Sequence, residues 1–204
     1  MSRLGRLALL LVVLSFIVLP LTLGEAAEST ASPQDKIIAS STEAIAANPR
    51  DFVAYYSRGN AYFQKRLFDE ALADFSKAIE LNPNYAAAYN ARGVTYGARK
   101  KHDEAIEEYT QAVKIDPAFS LAYTNRAIVY CAKENWDLAL QDSNKAIELS
   151  PKVYKAYYTK GLAHYKKQQY DDAVIALRYL IANSKDPLLI EQAKDIIRSM
   201  GVNG

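Results

Sequence analysis

The sequence predicts an all-α solenoid of stacked antiparallel helix pairs, and three observations carry that expectation. The chain repeats itself every 34 residues, in four successive copies over 52–85, 86–119, 120–153 and 154–187. Each copy carries two apolar stripes at helical spacing, the first through Tyr55, Gly59 and Tyr62, the second through Ala71, Phe75, Ala78 and Ile79. One such pair cannot bury its own apolar faces, so neighbours must stack. The register is strict. Tyr55, Tyr89, Tyr123 and Tyr157 coincide, as do Gly59, Gly93, Ala127 and Gly161, and Asp69, Asp103, Asp137 and Asp171.

Residues 1–27 are expected to lie outside this array. Arg3 and Arg6 make a positive flank, Leu7 to Leu19 is an apolar run broken by Ser15, and Gly24 to Ala27 offers small residues for cleavage. That is the layout of a secretory signal peptide. The alternative is an uncleaved signal anchor. Residues 7–23 lie at the short edge of the roughly 17–25 residues that span a bilayer. Either reading puts the repeats outside the cytoplasm: periplasmic, secreted or held at a membrane by residues 7–23. No cysteine follows the apolar run, so a lipoprotein is not expected, and the chain has no Asn-x-Ser/Thr sequon.

Residues 28–33 read as a Ser/Thr/Ala linker. Residues 34–51 read as a degenerate half-repeat. Ala44 and Ile45 lie one period before Ala78 and Ile79, and Asn48-Pro49 one period before Asn82-Pro83. Its expected job is to cover the open face of the first full repeat. Within the repeats, first helices are expected near 52–65, 86–99, 120–133 and 154–167, and second helices near 69–81, 103–115, 137–149 and 171–183. Asp69 stands where an N-cap belongs, and Asn82-Pro83 stops the second helix. A glycine at 59 costs helix stability, about 1 kcal/mol against alanine, so its recurrence calls for close approach of a second helix. Later copies depart: Ser143 replaces the ring of Phe75 and Tyr109, Leu180 replaces Ala78, and Lys185 replaces Pro83.

Residues 188–204 are expected to form a capping helix. Asp186-Pro187 starts it, Leu189, Ala193, Ile196, Ile197 and Met200 form its apolar stripe, and Gly201 ends it. A dimerisation helix is the alternative.

The pattern at Tyr55, Gly59, Tyr62, Phe68, Ala71, Phe75, Ala78 and Pro83 resembles the tetratricopeptide repeat, over about two thirds of the chain. The resemblance implies a right-handed α-solenoid. It also implies that the first helix of each pair lines a concave, partner-binding side. Residues of the first helices outside the Tyr-Gly-Tyr stripe then become candidate contacts. These are Val53, Tyr56, Asn60 and Phe63 in the first repeat, and Asn90 and Val94 in the second. The third offers Leu121, Thr124, Asn125 and Ile128, and the fourth Lys155, Tyr158, Leu162 and Tyr165. Aromatic and apolar anchors with interspersed amides suit a protein or peptide partner. Some family members clamp an acidic chaperone tail with Lys, Arg and Asn. Asn125 and Lys155 match that clamp, but Asn90, Val94 and Thr159 do not. In the earlier register Asn60 matches, while Tyr56, Ala91 and Leu121 do not. That role is not expected.

Chemistry is not expected either. His102 and His164 occupy aromatic packing positions, and Cys131 has no base beside it in sequence. No nucleophile, phosphate-loop or metal-ligand pattern is present. The expectation is therefore a non-enzymatic protein with no cofactor and no metal. The formal charge of +2 on 204 residues argues against a nucleic-acid partner. A ladder of Arg58, Arg92, Arg126 and Lys160 shares its period with Asp74, Glu108 and Asp142, with Ala176 breaking the acidic row. Ion pairing within each repeat is the expected reading, and an anion-binding strip the alternative. The expected function is an extracytoplasmic scaffold that docks a peptide or helix, touching a membrane only through an uncleaved N-terminal segment. The alternative is a self-associating homo-oligomer using the end helix or an exposed repeat face.

Overall fold

The computed structural model describes residues 31–201, of which 33–201 belong to one compact unit. Residues 1–30 and 202–204 lie outside the described part, and with them the expected export segment. Among the described residues every regular element is helical. α1 spans Pro33–Ala47. Four pairs follow: α2 Phe52–Gln64 with α3 Phe68–Leu81, α4 Ala86–Ala98 with α5 His102–Ile115, α6 Ser120–Ala132 with α7 Trp136–Leu149, and α8 Tyr154–Lys166 with α9 Tyr170–Asn183. α10 spans Pro187–Ser199. Each helix packs on the next in sequence, and the first helices α2, α4, α6 and α8 also touch one another in a row. α10 extends that row by packing on both α8 and α9. It starts within one residue of the next 34-residue step, so it takes the place of a further first helix. No helix among the described residues is long and apolar enough to cross a membrane.

The glycines have the reason that their spacing required. A Cβ on Gly59 would sit 2.7 Å from Phe75 Cε1, one on Gly93 2.8 Å from Tyr109 Cε1, and one on Gly161 2.5 Å from Leu177 Cγ. Those distances are inside van der Waals contact, so the ring or branch on the second helix lies flat against bare backbone. Repeat 3 solves the same contact with the volumes exchanged. Ala127 stands in the glycine register and fully buried Ser143 in the ring register. The loss of the aromatic at 143 is therefore matched one helix away by the gain of a methyl group.

The helix starts differ from expectation in one respect. Asp69 does not cap α3, which begins at Phe68 after Leu67 with no side-chain cap. Asp69 instead pairs with Arg99 of the next repeat. The same link joins Asp35 to Lys65, Asp103 to Lys133 and Asp137 to Lys167, so the recurring aspartate ties each unit to its successor. These carboxylates are 77–85 % exposed in the three full repeats, and each pair contributes at most about 1 kcal/mol. Side-chain caps do form at Asp51, which accepts from Val53 N and Ala54 N, and at Asp186, which accepts from Leu188 N and Leu189 N. The turn inside every pair places a non-glycine residue at positive φ: Arg66, Lys100, Glu134 and Gln168, each near 60°.

The ladder arginines are paired. Arg58 grips Asp74 through Nε at 2.8 Å and Nη2 at 2.8 Å, and Arg126 grips Asp142 at 2.7 and 2.9 Å. Both are two-point forks to nearly buried carboxylates. Arg92 reaches Glu108 at 2.7 Å through Nη2, leaving Arg92 Nε and Glu108 Oε2 buried without partners. The extra methylene of glutamate breaks the fork. Burial also raises the Glu108 carboxyl, against the opposing pull of Arg92. Pairing inside each repeat thus holds for the first three rungs, and the anion-strip alternative falls for them.

The exchange of volumes between 127 and 143 is testable by thermal or urea unfolding. Ser143→Phe alone is expected to cost about 1–3 kcal/mol, because the ring meets the Ala127 methyl. Adding Ala127→Gly should recover most of that loss. A double variant no more stable than the single one would show that the two positions are not one contact.

Candidate partner-binding groove

The row of first helices leaves its inner side open in the C-terminal half. Two cavities lie along it. The larger, about 380 Å3, is lined by Ile128, Cys131 and Ala132 of α6, Lys155, Tyr158, Thr159 and Leu162 of α8, and Leu189 of α10. The smaller, about 230 Å3, is lined by Val94 and Gly97 of α4, His102 and Tyr109 of α5, and Asn125, Ile128, Val129 and Ala132 of α6. Ile128 and Ala132 belong to both, so the two cavities adjoin.

The reason for the cavities is a single register. Phe63, Gly97, Cys131 and Tyr165 are spaced by 34 residues. At the ends of the array that position holds a ring. Phe63 packs against Phe68 with centroids 5.7 Å apart, and Tyr165 lies 6.2 Å from Tyr170. In the two middle repeats it holds a glycine and a cysteine, and each of these lines one cavity. Two missing rings leave two adjoining hollows.

The candidate residues divide accordingly. Val94, Asn125, Ile128, Lys155, Tyr158 and Leu162 line the groove. Tyr165 lines neither cavity and packs against the cluster of Leu177, Leu180 and the α10 stripe. The first-repeat candidates are engaged elsewhere. Tyr56 packs on Tyr85 at 5.1 Å and Phe75 at 5.9 Å, Phe63 fills its own register, and Asn60 Nδ2 donates to Tyr56 O at 3.0 Å. Val53 and Leu121 are exposed but line neither cavity. Thr124 is fully buried with its hydroxyl donating to Ser120 O, so it offers nothing to a partner. Asn90 is buried too, and accepts from Asn125 Nδ2 at 2.9 Å.

Sequence reasoning passed over Gly97, Cys131, Ala132 and Leu189. Two signals could have found them. Leu189 lies one period after Lys155, and the Phe63 register loses its ring twice. His102 sits in the smaller cavity rather than in a sealed packing slot, with Nδ1 buried and without a partner among the described residues.

The electrostatics of the groove are mild. Lys155 stands at the rim as a positive group. Burial pushes the Cys131 thiol up to about 11, and its Sγ points 4.0 Å from Thr159 O. Burial also raises the Tyr158 phenol. Both groups are neutral at physiological pH, so the walls act as apolar surface with a few hydrogen-bonding atoms. Among the described residues no group of three or more His, Cys, Asp or Glu is placed to hold a metal ion.

Cys131 reports on this environment. Its raised pKa keeps the protonated thiol dominant until pH approaches 11, and the nucleophile is the thiolate. Alkylation by iodoacetamide at pH 8 should be about two orders of magnitude slower than for a free cysteine, and should climb toward pH 11. A reaction rate that levels off near pH 9 would mean that the groove is wetter than its lining indicates.

Comparison with known proteins agrees with this architecture. The tetratricopeptide repeat family model matches residues 52–85 and 86–119, and a second model of that repeat matches 124–187. No curated protein sequence matches the chain. Among solved structures, the MamA protein superposes with a TM-score of 0.66 at 22 % identity, covering 78 % of this chain and 87 % of its own. YrrB, described as a TPR protein with an unusual peptide-binding site, gives 0.65 at 22 % identity, covering 80 % and 84 %. A tetratricopeptide repeat protein from Parabacteroides merdae gives 0.71 at 21 % identity, covering 87 % and 72 %. At such identities the likeness is one of fold. Four repeats in unbroken register, with two models of one family matching in succession, establish the affiliation: the chain belongs to the tetratricopeptide repeat family.

Proposed function

We propose that this protein is a non-enzymatic scaffold that captures a peptide or helical segment of another protein in the groove between Val94 and Leu189, outside the cytoplasm. One observation carries the reading: two adjoining hollows, walled mainly by apolar groups and neutral polar ones, open along the first-helix row. Two adjoining hollows would take two apolar side chains of one partner segment, with the chain between them passing Ile128. Lys155 and Asn125 at the rim would orient that chain through its backbone or a carboxylate. The family generally works by binding protein segments, and the fold relative YrrB is described as having a peptide-binding site. The export reading rests on the basic flank and apolar run of residues 3–23.

The groove is tested by filling it. Cys131→Tyr restores the ring that Tyr165 carries in the same register, and Tyr158→Ala removes a wall. Peptides selected from a displayed library by the wild-type protein should share two bulky apolar residues. They should lose about tenfold or more in affinity for either variant, while helical circular dichroism stays unchanged. Equal affinity for wild type and Cys131→Tyr places the binding surface elsewhere.

Export is tested separately. A reporter enzyme that matures only outside the cytoplasm, fused after residue 204, should be active with residues 1–27 in place and inactive without them. Activity that survives their removal refutes the export reading without touching the groove.

A further inference from the structure

The fourth repeat departs from the other three along the arginine ladder, and its departures fall on one patch. In repeats 1–3 each arginine is engaged inside the molecule. Besides its carboxylate it reaches back to a hydroxyl of the preceding unit: Arg58 to Thr42 at 3.1 Å, Arg92 to Ser76 at 3.0 Å, and Arg126 to Thr110 at 2.9 Å. Repeat 4 has neither partner. Ala176 stands in the carboxylate register and Asn144 in the hydroxyl register, and Lys160 forms no ion pair among the described residues.

The surroundings change with it. The repeat-3 cavity around Arg126 is lined by Gln141, Lys145 and Glu148. Its counterpart around Lys160, about 370 Å3, has Ile175 in place of Gln141 and Tyr179 in place of Lys145. Ile175 is 69 % exposed and Tyr179 42 %, with the Tyr179 ring stacked on Tyr157 at 4.4 Å. On the rim, one helical turn before Ala176, lies Asp172, which also has no ion-pair partner among the described residues. An uncompensated cation, an uncompensated anion and an exposed apolar pair thus share one surface.

A patch with both signs on it is complementary to itself. Turned about a two-fold axis, each copy offers Lys160 to the other's Asp172, and the apolar pair of one meets that of the other. A purely acidic partner fits less well, because Asp171 and Asp172 would repel it. We propose that the α8–α9 face, centred on Ile175, is a self-association surface that joins two copies of this chain through reciprocal Lys160–Asp172 pairs. The groove faces away from the ladder register and stays open in such a pair.

Charge reversal tests this on the full chain. Two differently tagged copies are co-expressed, one tag is captured, and the other copy is measured. Wild-type copies should copurify. Lys160→Glu in both copies, or Asp172→Lys in both, should lower the yield about tenfold, since each reversal opposes like charges twice. One copy carrying Lys160→Glu with the other carrying Asp172→Lys should restore it, because both contacts are again of opposite sign. Ile175→Asp in both copies should abolish capture without loss of helical signal, and Cys131→Tyr should leave it unchanged. The proposal is overturned if wild-type copies do not copurify, if capture ignores both reversals, or if the mixed pair stays apart.

Discussion

The architecture depends on how near the two helices of a pair can come. Bare backbone on the first helix receives a ring or a leucine from the second, with no room for a Cβ between them. That contact, with its volumes exchanged at Ala127 and Ser143 in repeat 3, fixes one side of each first helix and most of one side of each second. Once those sides are used, the remaining apolar surface can be covered only by the neighbouring pair. The inter-repeat links from Asp69, Asp103 and Asp137 follow from this stacking and do little to cause it, since their carboxylates stand in water. The buried forks of Arg58 and Arg126 contribute differently. Their burial makes breaking them costly, so they hold each pair in one orientation more than they add to its stability.

A repeat array turns single substitutions into surface features, because every register position already has a structural role. Removing a ring at 97 and 131 does not disturb the close contact at Gly93 or Ala127, which lies on another side of the helix. The stack therefore survives and a hollow opens. The end helix gives the hollow its last wall. α10 occupies a first-helix place, and its apolar stripe serves two purposes. Ile196 and Ile197 join the cluster that seals repeat 4, while Leu189 faces the groove as well.

Much of the fold was legible because period is a one-dimensional property. All four first helices begin at the residues the spacing indicated, and the second helices begin one residue earlier than expected. That residue was lost to a plausible cap. Asp69 has the right type for capping, yet its charge is used between repeats, and nothing in a single copy of the sequence could reveal a partner 30 residues on. The groove was only half legible. Register tells which side of a helix a residue occupies but not how deep the neighbouring side chains reach. Tyr56 and Val94 look equivalent as inner-side residues, but Tyr85 and Phe75 cover the first while the second faces the hollow that Gly97 leaves. Thr124 is hidden for the same reason: a small residue on a tightly stacked helix lies beneath its neighbours.

The same logic distinguishes decay from specialisation in the last repeat. If repeat 4 had merely drifted, its changes would be scattered over both helices and would tend toward polar residues on exposed ground. Its buried contact has not drifted. Leu177 still lies against Gly161, and Leu180 and Leu177 are fully buried. Three of its changes, at 175, 176 and 179, lie on one stripe of α9, and two of these put exposed apolar groups where repeat 3 has Gln141 and Lys145. A repeat gains no stability from exposing isoleucine to water. The stripe is accounted for when something covers it, and an uncompensated lysine beside it sets the charge that the cover must bring.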